Sequence, residues 1–113
     1  MAHRIALGVA LLTFLVSLGC DEPKSKDYRS GYVFGYGVGT WYVKDNGKAN
    51  SKTYWDKKEA EEGKEKWIAG YVKNNPDGIP DPKALREHAD GIWDGMKDGF
   101  LDRPSRVAKG ESK

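Results

Sequence analysis

Apolar and polar residues alternate along this chain in blocks that change character three times. Ile5 to Leu18 is an almost unbroken apolar run, interrupted only by Gly8, Thr13 and Ser17, and behind Cys20 the chain turns abruptly polar. Further on, Ala60, Trp67 and Tyr71 recur at helical spacing between Glu61, Glu62, Glu65 and Lys66, which predicts a helix over Lys57 to Asn74. Asp56 and Glu59 have capping-box spacing at its start, with Trp55 placed for a hydrophobic staple to Ala60. The breaker run Asn74-Asn75-Pro76-Asp77-Gly78 ends it. A second helix is expected from Asp81 as N-cap, with Pro82 in the first turn, to about Asp102. Leu85, Ile92 and Met96 form the centre of its apolar face, Trp93 and Phe100 one shoulder, and Gly91, Gly95 and Gly99 the other.

Ser30 to Lys44 fits two patterns. As a strand it would put Tyr32, Phe34, Tyr36 and Val38 on one side, with Asp45-Asn46-Gly47 as a hairpin turn. As a helix it carries Gly31, Gly35 and Gly39 at every fourth position, the spacing of Gly91, Gly95 and Gly99. Glycine inside a helix costs about 1 kcal/mol relative to Ala. Two matching glycine rows offset that cost by letting the backbones approach closely. The helix is therefore preferred, and the expected fold is mainly α, a small three-helix domain. The alternative is α+β, with an N-terminal hairpin and two helices. The expected organisation is a leader over 1–19, Cys20 and a spacer over 20–27, a globular domain over 28–102 and a flexible tail over 103–113.

The N-terminal block has the three parts of a secretory signal: a basic start at Arg4, an apolar stretch of about 7–15 residues, and small residues at its end. It is shorter than the roughly 20 residues a membrane span needs. Ser17-Leu18-Gly19-Cys20 resembles the lipobox of bacterial lipoproteins, in which a small residue precedes an invariant Cys. The resemblance implies cleavage before Cys20 and acylation of Cys20, and hence a chain tethered to the outer face of a cell membrane. Cys20 is the only cysteine, so it can form no intramolecular disulfide, and a lipid attachment point gives it a role.

Charge narrows the function classes. Of 19 Lys and Arg, Arg4 lies in the leader, so the remainder nearly balances the 17 Asp and Glu, and nucleic acid is not an expected partner. For catalysis the material is thin. His88 falls at the edge of the apolar face of the last helix, as a half-buried packing residue, and Asp90, Asp94 and Asp98 read as a solvated stripe. Asp77 to Asp81 resembles a calcium loop but lacks its first and last carboxylates, so a turn followed by an N-cap accounts for it. The chain is therefore expected not to be an enzyme and to hold no cofactor or metal. The expected role is that of a membrane-tethered interaction module, with an envelope or phage protein as partner. By general likeness it also resembles the small prophage lipoproteins that block DNA entry by related phages; a wall-associated enzyme or accessory is a third reading. Exposed Trp and Tyr favour partner binding, and Trp41, Tyr42, Tyr54 and Trp55, around the Asp45–Gly47 turn, are the candidate surface.

Overall fold

Ser25 opens the first helix by accepting a hydrogen bond from the Tyr28 amide at 3.1 Å, with Asp27 in the first turn, where a negative charge suits the helix dipole. The computed structural model describes residues 24–107, so the leader, Cys20 and the end of the tail lie outside the described residues. Among the described residues there are four helices and no strand: α1 (Lys26–Asn46), α2 (Lys48–Glu61), α3 (Lys64–Asn74) and α4 (Pro82–Phe100). The mainly α fold stands, and the hairpin alternative is excluded for Ser30 to Lys44. Lys26 and Asp27, expected in the spacer, belong to α1.

The expected single helix over Lys57 to Asn74 is divided. Gly63 has a φ of 75°, a conformation that interrupts a helix and that glycine adopts without steric cost. Asp56 is not a cap but sits within α2, paired with Lys52 at 2.5 Å one turn earlier. The helical pattern extends back to Lys48, just after Gly47, whose φ of 88° joins α1 to α2. The number of helices is thus four rather than three. The last helix starts as expected, with Asp81 accepting from the Lys83 amide at 3.1 Å and Pro82 in the first turn.

α1 and α4 lie against each other in parallel, backbone to backbone. A Cβ on Gly31 would fall 2.0 Å from the His88 carbonyl oxygen, and one on Gly35 2.1 Å from that of Ile92. In return, a Cβ on Gly91 would meet the Tyr28 oxygen at 2.0 Å and one on Gly95 the Tyr32 oxygen at 2.1 Å. Gly39 and Gly99 meet one another at the last turn of α4. The carbonyls point at glycine Cα–H bonds, the setting of the weak Cα–H···O contacts that recur between closely packed helices. Two parallel helices need a long crossover, and α2 and α3 supply it.

The crossover brings the core with it. Trp55, Ile92, Trp93, Met96 and Phe100 form one buried cluster, with Tyr42, Trp67, Tyr71 and Leu101 packed around it. Trp55 lies 4.7 Å from Trp93 and 5.5 Å from Phe100, ring centre to ring centre, and Trp67 lies 5.7 Å from Trp93. Such aromatic pairs add to the large area each ring removes from water. Ser51 on α2 donates to the Phe100 carbonyl at 2.6 Å, which caps the end of α4 from the side.

Candidate contact surface

Each tyrosine of α1 at positions 28, 32 and 36 is followed three residues later by one of the interface glycines, so a row of rings runs beside the glycine row. The rings stack along α1 at 6.3 and 6.0 Å. On α4 an Asp-Gly pair recurs every fourth residue, at 90–91, 94–95 and 98–99. In parallel register the two rows meet. The Tyr28 hydroxyl donates to Asp94 at 2.6 Å and the Tyr32 hydroxyl to Asp98 at 2.5 Å. Tyr36 lies past the last Asp-Gly pair and donates to the Arg103 carbonyl at 2.7 Å.

Asp90, Asp94 and Asp98 are thus not a solvated stripe. Asp98 is only 5% exposed and is held by Tyr32 and by the Arg106 Nε at 2.8 Å. Asp90 and Asp94 share Lys64 of α3, at 2.5 and 3.0 Å. Burial, and next the bond to Asp94, raises the Tyr28 pKa well above its ordinary value; burial and the bond to Asp98 do the same at Tyr32. Burial alone would lower the pKa of Lys64, but its bonds to Asp90 and Asp94 outweigh that and raise it. The same Asp98 holds the start of the segment expected as a flexible tail. The Arg106 amide donates to the Tyr32 hydroxyl at 3.0 Å, its guanidinium lies over the Tyr32 ring, and Val107 is buried beside Tyr28 and Tyr32. Within the described residues, Arg106 and Val107 are therefore tied to Tyr32 and Asp98, while Arg103 to Arg106 stay exposed.

His88 is half-buried, as expected, and bridges three elements. Its Nε2 faces the Asp77 carboxylate at 2.9 Å and its Nδ1 the Asp27 carbonyl at 3.3 Å. Tyr71 donates to the same Asp77 oxygen. Burial first, and then that bond, raises the Tyr71 pKa. Asp77 thus ties a loop to α3 and α4, and Asp81 caps α4. Among the described residues no group of three or more His, Cys, Asp or Glu is placed to hold a metal ion.

The four aromatic residues expected to form a binding surface divide. Trp55 is wholly buried in the core, a correction that follows from its stacking on Trp93 and Phe100. Tyr42 is half-buried between Tyr54 and Phe100, at 4.9 and 5.1 Å. Tyr54 is partly open, and Trp41 is 62% exposed. Trp41 does not face Tyr54's group but continues a stripe along α1 with Val33, Phe34, Gly37 and Val38, which together line one shallow apolar surface. Phe34 is 61% exposed, and Val33 and Val38 are also open. Gly37 is the α1 glycine that takes no part in the contact with α4: a Cβ there would meet nothing within 4 Å. The spacing 33, 34, 37, 38, 41 was legible in the sequence as a second helical face, beside the face of Gly31, Gly35 and Gly39.

No protein-family model, curated protein or solved structure matches this chain. Among the described residues no helix is long and apolar enough to cross a membrane.

Proposed function

We propose that this chain is a lipid-anchored protein of the cell envelope that acts by contact rather than catalysis, through the apolar face of α1. The observation that carries the reading is the set Val33, Phe34, Val38 and Trp41, open to solvent on a helix whose other side is fully occupied by α4. Burying such residues in solvent-free contact is favourable by about 25 cal/mol per Å² of apolar area, and exposed Trp and Phe in one patch mark interaction sites. The polar groups that could serve acid–base chemistry support the same reading. Asp94, Asp98 and His88 are each engaged in bonds that hold helices or the returning chain together. The anchor rests on the lipobox-like Ser17 to Cys20.

Two measurements test the proposal. Mass spectrometry of the membrane fraction is expected to show a mature chain that begins at an acylated Cys20. Phe34→Cys, in an otherwise wild-type lipoprotein, is expected to react slowly with a bulky maleimide in native membranes and rapidly in detergent, whereas Lys73→Cys reacts rapidly in both. Equal, fast labelling at both positions in membranes would show that nothing covers the α1 face.

A further inference from the structure

The reach of the anchor decides what covers this face. Five residues, Asp21 to Ser25, separate Cys20 from the first residue of α1. Fully extended they span at most roughly 17 Å. Val33 lies about 10 Å along the helix from Lys26, and Trp41 about 12 Å further. A lipid on Cys20 therefore keeps the whole stripe within one domain's width of the bilayer surface. Linkage of this kind turns docking into an intramolecular event at an effective concentration of about millimolar for a short flexible tether. A weak apolar contact suffices under such conditions.

We infer that the occupant of the α1 face is the outer leaflet of the bilayer itself, with α1 lying along the interface and Phe34 and Trp41 seated among the headgroups and upper acyl chains. The inference rests on the proposed lipid at Cys20 and on the α1 face as the contact surface. The chemistry fits. Trp is favoured at the membrane–water boundary, where an apolar ring with one polar N–H meets both phases. A helix with one apolar face and polar flanks lies in the interface plane and does not span. Lys26 and Lys44 extend the stripe at both ends, seven residues before Val33 and three after Trp41, and are exposed. Their long stems can run along the apolar surface while their ammonium groups stay in water. Asp27 and Asp45 lie beside them along the chain, so net charge does not drive the contact and uncharged lipid is enough. In this pose α4 and the core lie on the side of α1 away from the membrane, and α2 and α3 are left for other partners.

The test uses the purified lipidated protein in protein-free phosphatidylcholine vesicles containing doxyl-labelled phosphatidylcholine. Trp55 and Trp93 are sealed in the core and Trp67 is half-buried on α3, so Trp41 is the exposed tryptophan that a quencher at the α1 face reaches. The expected result is strong quenching by doxyl lipid, protection from aqueous iodide, and loss of most of the lipid quenching in Trp41→Phe. Far-UV circular dichroism of Trp41→Phe is expected to match wild type, since the ring is exposed. If Trp41 is open to iodide and untouched by doxyl lipid in vesicles and in native membranes alike, both the bilayer inference and the contact-surface reading fail. If it is open in vesicles but shielded in native membranes, a protein covers the face and the bilayer inference alone is overturned. A mature Cys20 without lipid removes the tether and overturns the inference at its first step.

Discussion

Single residues carry unequal weight in the α1–α4 contact, and the glycines show it most clearly. Gly95→Ala places a methyl group at 2.1 Å from the Tyr32 carbonyl oxygen, and neither backbone can yield without parting the helices. It is expected to cost at least about 1–3 kcal/mol, the range for overpacked sites. Gly37→Ala meets open space and gains helix propensity, so it is expected to stabilise by up to about 1 kcal/mol. Opposite shifts of the denaturation midpoint confirm the interface; a shift in the same direction for both would refute it. The tyrosines give a pH signature. Folding raises the pKa of Tyr28 and Tyr32 above the unfolded value of 10, so the native state holds protons that the unfolded state releases. Their contribution is full below pH 10 and is lost as pH rises above it. Melting temperature is expected to fall steeply above pH 10 in wild type and less steeply in Tyr28→Phe, measured by thermal denaturation across that range.

At the level of elements, sequence and structure agree where a repeat is local and differ where packing decides. The two glycine rows could be read because both obey the same four-residue period, which in two helices places them face to face, although that period alone also suits a strand. Direction was not legible: nothing in the rows distinguishes parallel from antiparallel, and only the crossover through α2 and α3 selects the former. The break at Gly63 was hidden because Asp56 and Glu59 satisfy a capping pattern that Lys52 turns into an ordinary ion pair within α2. Trp55 read as surface because it follows a polar turn, yet it is held inside by rings from α4, remote in sequence. The Tyr and Asp-Gly repeats were visible but looked polar, and only their register shows that they join. Gly63→Ala tests the break. A side chain at a φ of 75° and a ψ of 159°, a region essentially reserved for glycine, costs about 1–3 kcal/mol, so the variant is expected to melt earlier, although Ala is the better helix former. A rise in melting temperature would mean that α2 and α3 can fuse without loss.

For the molecule as a whole, Asp98 is the point where helix, tyrosine row and returning chain are fastened together. Buried and hydrogen-bonded to Tyr32 and Arg106, it leaves the Tyr32 hydroxyl proton and the Arg106 guanidinium without their acceptor when truncated. Asp98→Ala is expected to cost about 1.5–3 kcal/mol, the range for a bond to a charged group. Trypsin is then expected to cleave after Arg106 far faster than in wild type. A wild-type midpoint together with unchanged cleavage would show that the segment is held elsewhere.

Tyr28 and Tyr32 each find their carboxylate 66 residues further along the chain. A ribosome that makes α1 first thus produces a helix whose bare glycine backbone has no cover until α4, the last helix among the described residues, has been made. Contacts this remote in sequence slow folding relative to ordinary helical bundles, because the entropy of closing the loop is lost before the contact is gained. The contact that shields the glycine backbone of α1 therefore forms only after α4 has been made, and until then the two halves of the interface stay apart.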